Sequence, residues 1–279
     1  MNPTHGSSRT RVPFIVVVLV LALVGMGCRS ALRDPIELAP TQSVESGSLD
    51  ELLERAERSF ETRVETDVRQ ALIFYDEVAA RGREETDRTH YRNGLLGAIR
   101  VRLWLSTRVG EPDERRATAA RAVNDGQLCE RDFVGDAACV YWLALAVGAQ
   151  ARERRSTAID GLDVMEDRLR QAIELDATQD HGGPHRVLAL LYLRAPGWPT
   201  GPGDPDVGLE QARLAMTIDD SFPPNVLVLG EALVAVTEDD EGRGAFLRAR
   251  AMAEAWLANG HPEAADWVDE ANEFLQTVQ

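Results

Sequence analysis

Not one of the 279 residues is lysine; all 30 basic side chains are arginine. Codon bias explains such a composition better than a functional reason does, because arginine keeps its charge in every setting. The consequence is still useful: no P-loop, Schiff-base or kinase lysine can operate. Positive charge is also outnumbered, 30 residues against 46 acidic ones, for a formal charge of −16. That balance argues against nucleic acid as a partner, since phosphates are held by basic surfaces. Strand patterns are scarce, because nearly every apolar stretch has helical spacing or lies between helix caps. Catalytic signatures are missing as well. Ser221 has no nucleophile-elbow context, and the pairs Asp219-Asp220 and Asp239-Asp240 fall at turns or helix starts, where solvation and the helix dipole account for them. His181 and His185 are four apart, but Gly182, Gly183 and Pro184 place a helix start between them, and no Glu follows His181. The expectation is a protein that is not an enzyme and uses no cofactor and no metal.

What is present begins at the N-terminus. A polar stretch with Arg9 and Arg11 precedes the apolar run VPFIVVVLVLALVGMG and then Cys28. This is the order of a secretory signal, and a cysteine directly after Gly27 gives it the look of a bacterial lipoprotein signal. The usual leucine three residues before the cysteine is Gly25 here, with Val24 one step further back. An ordinary signal peptide or an uncleaved anchor, slightly short of a span, are the alternatives. The predicted division is a signal over 1–27, lipid attachment at Cys28, a flexible tether over 28–47 and a helical domain over 48–279. Arg29 in place of Asp after the cysteine favours the periplasmic face of an outer membrane. A tether of about 20 residues would reach roughly 25 Å.

The remaining two cysteines, Cys129 and Cys139, are ten apart in CERDFVGDAAC. In a reducing compartment they would be free thiols; after a secretory signal, a disulfide closing an interhelical loop is the better reading. Zinc is disfavoured because no third or fourth ligand is clustered with them.

Helical signals fill the rest. Ser48 and Glu51 form a capping-box pattern ahead of LDELLERAERSF. Helices are expected from Thr66 or Asp67 to Gly82, over about 86–109, and from Pro112 through RRATAARAVNDG. Gly94 and Gly97 read as close-packing positions and Trp104 as core. Three segments are unusually apolar: 137–149, 187–193 and 226–236. They are too short to span a bilayer and must be buried or line a cleft. They alternate with amphipathic partners in which small residues recur, as at Gly208, Ala212 and Ala215, while Met165, Leu169 and Ala172 take repeat-like places in MEDRLRQAIELD. Small residues there let antiparallel helices approach as in tetratricopeptide (TPR) hairpins. The predicted fold is all-α, a TPR-like α-solenoid of about four to five antiparallel helical hairpins. A long inserted loop at 196–204 and a C-terminal capping helix carrying Trp267, Val268 and Phe274 complete it.

The run from His181 to Asn225, with the Tyr141-Trp142 helix and MEDRLRQAIELD, resembles the TatT family of TPR-like lipoproteins associated with TRAP transporters. The resemblance spans roughly Ser48 to Trp256 and is strongest between Cys139 and Ala232. It implies a trimer with apolar clefts or pores, docking to a periplasmic solute-binding protein, and a small organic or hydrophobic ligand. A TPR-like lipoprotein scaffold for another envelope complex is the alternative. Arg186, Tyr192 and Trp198 are interface-type residues near an apolar helix and its bend, although core packing beside an exposed arginine would explain them too. If the three apolar helices form an inner wall, a groove is expected near Tyr141, Trp142, Tyr192 and Trp198, with the Trp198 loop at one end.

Overall fold

The computed structural model describes residues 32, 35–37, 46–154 and 158–277; the signal segment, Cys28 and most of the tether lie outside them. The described residues form eleven α-helices: α1 (Leu49–Glu61), α2 (Glu65–Glu84), α3 (Arg88–Ser106), α4 (Pro112–Asp132), α5 (Ala137–Glu153), α6 (Ala158–Asp176), α7 (Gln179–Arg194), α8 (Pro205–Ile218), α9 (Pro223–Ala235), α10 (Asp239–Ala258) and α11 (Ala264–Thr277). Neighbours in sequence pack as five hairpins, and α11 closes the last one.

Local chemistry sets the helix ends. Ser48 Oγ accepts from the Glu51 backbone N–H at 3.2 Å, while the Glu51 carboxylate accepts from the Ser48 N–H at 2.9 Å. Both halves of the capping box are therefore made. Asp87 caps α3 by accepting from Thr89 and His90, so that helix starts two residues later than the apolar pattern suggests. Pro112, Pro205 and Pro223 stand in first turns, where a missing N–H costs nothing.

Burial then passes from hairpin to hairpin. One cluster joins α1, α2 and α3 around Leu52, Phe74 and Val101. Others join α3 to α5 around Ile99 and Leu143, α5 to α7 around Leu169 and Leu188, and α9 to α11 around Val226 and Phe246. Each unit covers its neighbour's apolar face, which is how a solenoid acquires a continuous core. The small residues work as expected. A Cβ on Gly94 would stand 2.4 Å from the Ala79 backbone nitrogen, so α2 and α3 cross at a distance that only glycine allows.

Cys129 and Cys139 form a disulfide that ties the end of α4 to the start of α5. Closing a loop of this length restricts the unfolded chain by about 2–3 kcal/mol. Paired Cys→Ser substitutions are expected to lower unfolding free energy by about that amount, measured by denaturant titration. Reductant should reproduce the loss in wild type and leave the variant unchanged.

The tether differs from the sequence expectation where it is described. Asn124 on α4 clamps Ile36 from both sides: its Oδ1 accepts from the Ile36 N–H at 2.6 Å and its Nδ2 donates to the Ile36 carbonyl at 3.0 Å. Glu37 pairs with Arg131 and with Arg83, and Leu32 packs on the α3–α5 cluster. This part of the chain is a strap on α4 rather than a free linker, because a side-chain amide satisfies its backbone and two arginines its carboxylate.

Charge is also used inside. Arg102 on α3 is 5% exposed, between Asp76 of α2 at 2.8 Å and Asp125 of α4 at 2.7 Å. Asp125 is 4% exposed, and burial pushes its carboxyl up to about 6 although Arg102 pulls the other way. Two carboxylates share one cation, and the half-exposed Asp76 makes the aligned hydrogen bonds to it.

Candidate functional site: a tryptophan- and arginine-lined concave cleft

The odd-numbered helices turn one face toward the axis of the superhelix. That face encloses a cleft of about 830 Å³, reached by α1, α3, α5, α7, the start of α9, and the α10–α11 corner. Its lining is unlike the outer surface. Four of the chain's five tryptophans, Trp104, Trp142, Trp256 and Trp267, are in it. So are Arg63, Arg92, Arg100 and Arg186, facing Glu57, Asp180, Glu263 and Asp266. A chain of charge −16 therefore carries an internally balanced concave surface.

An ion pair between Arg108, two residues past α3 in the second hairpin, and Asp266, on α11, spans the cleft. Arg108 also lies 4.2 Å over the Trp104 ring. The curve of the solenoid thus brings its second hairpin and its last helix within side-chain reach across the cleft.

One wall is aromatic. Phe222 is the hub: His181 stacks on it at 4.3 Å, while Trp256 and Trp267 meet it edge-on at 5.6 and 5.4 Å. Arg186 lies 5.1 Å from the same ring. Edge-on geometry aims the positive ring edge at the negative face of its neighbour. It leaves the tryptophans half-buried rather than collapsed on one another.

Beneath that wall a polar network fixes the start of α7. Asp180, His181 and Gly182 all have positive φ, at 52°, 57° and 80°, and for Asp180 and His181 this conformation is strained. Tyr141 donates to Asp180 Oδ2 at 2.7 Å, and Arg186 Nη2 donates to the same oxygen at 2.6 Å. Arg186 Nη1 reaches the Asp180 carbonyl and Asn225 Oδ1, both at 3.0 Å. The Asn225 amide donates to the His181 and Asp219 carbonyls, each at 2.8 Å. Asn225 is fully buried, so these bonds have no water to replace them. Burial drives the Tyr141 hydroxyl well above its ordinary pKa, which keeps it a donor. Asp219, held below the usual carboxylate range by Ser221 and His181, anchors the His181 ring at 2.7 Å.

The residues singled out in the sequence separate clearly. Trp142 and Arg186 face the cleft, but Arg186 is 8% exposed rather than a surface arginine. Tyr141 is wholly buried under the α7 start. Tyr192 faces α6, donating to Glu166 at 2.7 Å and accepting from Arg170; it lies outside the cleft lining because its hydroxyl is drawn to that helix. Trp198 is also outside the cleft, 89% exposed on the inserted loop. That loop is closed on itself by Gly203 N–H donating to the Pro196 carbonyl at 2.9 Å. His181 and His185 engage different partners, Asp219 and Gln211. Of the apolar segments expected as an inner wall, 187–193 and 226–236 are core instead, with Leu188, Leu191, Val226 and Leu233 buried between hairpins, and 137–149 gives the cleft only Ala138 and Trp142.

The sequence reading missed Arg63, Arg92, Arg100 and Trp256, and it read Trp104 as core, where the ring packs on the α1–α3 cluster and lines the cleft as well. A signal for them exists. Asn93, Leu96, Arg100 and Trp104 make a second stripe on α3, offset from the core stripe of Leu95, Ala98, Ile99 and Arg102. An α-helix that buries one stripe and repeats large mixed residues along another has two faces to satisfy.

These hairpins define the class: an all-α, TPR-like helical-repeat solenoid. Among solved structures, the chain is similar to a thermophilic TPR protein of Thermus thermophilus. The match has a TM-score of 0.57 and 16% identity, covering 79% of this chain and 99% of that one. No protein-family profile and no curated protein matches the sequence significantly.

Proposed function

We propose that the protein is a non-enzymatic, lipid-anchored periplasmic component that holds a small organic ligand in its concave cleft and works with a TRAP-type transporter. In this reading Cys28 is acylated and the anchor lies in the outer membrane. A periplasmic solute-binding protein docks on the folded body, and the assembly is a homotrimer. The observation that carries the ligand role is the ion pair of Arg108 and Asp266 across a cleft that holds four tryptophans. A bridged cleft of this volume suits a compact guest better than an extended peptide threaded through the groove. Amino-acid order supports the anchor, with the apolar run ending at Gly27-Cys28. The resemblance between Cys139 and Ala232 supports the transporter link.

Trp198 favours the second reading, a scaffold for another envelope protein, because an exposed tryptophan on a self-closed loop is a ready docking anchor. Crosslinking separates the two. A photoreactive residue in place of Trp198, introduced in cells, is expected to capture a solute-binding receptor identified by mass spectrometry. Capture of other envelope proteins alone would leave the scaffold reading and remove the transporter one. Labelling with an alkyne fatty acid is expected to mark wild type and not Cys28→Ala; label that survives the substitution would refute the anchor.

A further inference from the structure

Arg63 is matched differently from every other arginine around the cleft. Arg92 grips Asp136 with two hydrogen bonds, Arg186 holds Asp180, Arg100 lies 3.8 Å from Glu57, and Arg108 pairs with Asp266. Arg63 has no carboxylate within ion-pair distance among the described residues. Its Nη1 donates to the Phe60 carbonyl at 3.2 Å, its guanidinium lies 3.9 Å over the Phe60 ring, and its buried Nε has no acceptor among those residues. Glu263 faces it across the cleft, beyond ion-pair distance and 3.6 Å from its own partner, His261. Burial is the main cost of its charge; Glu263 attracts it from a distance, and Arg100 and Arg108 repel it. Carboxylates are abundant in this chain, yet this cation is left facing the cleft with donors to spare. A half-buried guanidinium with an unfilled donor carries a cost, and a planar anion is what its fork is shaped to accept.

Resting on the reading of the cleft as a ligand site, we infer that its guest is a compact organic anion. Its carboxylate or sulfonate sits on Arg63, and its planar apolar body lies against Trp104, Trp256 and Trp267. All three tryptophans line the same space and are half-buried, so a flat hydrophobic body gains area on binding. The neighbouring Arg100 and Arg108 add positive field while keeping their own partners. The net-negative exterior lowers the attraction for anions elsewhere on the protein. Selection for the anion therefore falls to one side chain.

The test is calorimetric titration of the full chain in non-ionic detergent with naphthalene-2-carboxylate and with its neutral carbinol, naphthalene-2-methanol. Micelle partition is subtracted from protein-free blanks. Wild type is expected to bind the carboxylate about tenfold more tightly than the carbinol, in keeping with a charge-assisted pair. Arg63→Met keeps the stem over Phe60 and should bring the two probes to equal affinity with the carbinol unchanged, while Arg63→Lys should restore part of the preference. Equal binding of both probes by wild type would overturn the anion subsite and leave the ligand cleft standing. Binding of neither probe would overturn both.

Discussion

Replacing Arg102 with alanine is expected to lower the unfolding free energy by about 3–5 kcal/mol. The guanidinium is 5% exposed and is the cation 2.7 Å from Asp125, itself 4% exposed. Without it, Asp125 must ionise in a nearly dry site or take up a proton, and Asp76 loses its aligned partner as well. The pair need not be worth that much in itself, because bringing both charges out of water offsets most of their attraction. The double variant Arg102→Met, Asp125→Leu should therefore recover most of the loss, since nothing charged is then left stranded; Asp76, half-exposed, can be solvated. Chemical denaturation of the single and double variants decides the matter. Additive losses would show that packing, not charge pairing, dominates.

The same site has a pH signature. Asp125 has a folded pKa of about 6 against an ordinary value of 3.8. Between those values the folded state binds the proton and the unfolded chain does not, so this group's contribution to stability rises as pH falls from about 6 towards 4. Above pH 6 the cost of its ionised form is fully present. Asp132, Asp136 and Asp219 are held low by their partners and act in the opposite sense, losing stabilisation as pH falls through their folded pKa values. Asp125→Asn should make the acid limb of the stability profile steeper. An unchanged profile would show that Asp125 is ionised throughout.

Removing Asn225 is expected to cost about 4 kcal/mol, because alanine leaves several buried polar groups unpaired at about 1–3 kcal/mol each. Its amide donates to the His181 and Asp219 carbonyls, and its oxygen accepts from Arg186. This one fully buried side chain ties α7, the α8–α9 corner and α9 together. It also holds Asp180 and His181 in left-handed backbone that they would otherwise leave. Asn225→Asp is the informative control. A carboxylate can still accept from Arg186 but cannot donate to the carbonyls, so it should lose nearly as much as alanine. Full stability in Asn225→Asp, measured by thermal and denaturant unfolding, would show that only the arginine contact matters. The cleft should respond too, since the His181–Phe222 stack depends on the same loop.

Helices, caps and hairpins were legible because each is decided within a few residues. Ser48 and Glu51 cap one another across three positions, and the small stripe Gly208, Ala212, Ala215 is buried where a hairpin needs it. The pairing of Cys129 with Cys139 spans one corner. Even the inserted loop could be located from its glycines and prolines. The cleft could not be found this way. Apolar character identified α5, α7 and α9 as inward-looking, but hydrophobic segments go first to the contacts between hairpins, and there they are consumed. What remains on the concave side is the mixed remainder of each helix, such as Trp104, Arg100 and Asn93 on α3.

Sequence by itself determined the repeat: period, caps and small residues make helical hairpins whatever lies around them. Tertiary structure alone decided which face of each hairpin looks inward, because that depends on the rotation between successive units. It also decided that Arg108 meets Asp266 across 158 positions of chain. No local pattern encodes such a contact; it exists only when the small rotations between the second hairpin and α11 add up. Arg63 is read in the same way. On the chain it is one arginine among 30, and only the folded curve shows that no carboxylate among the described residues meets it.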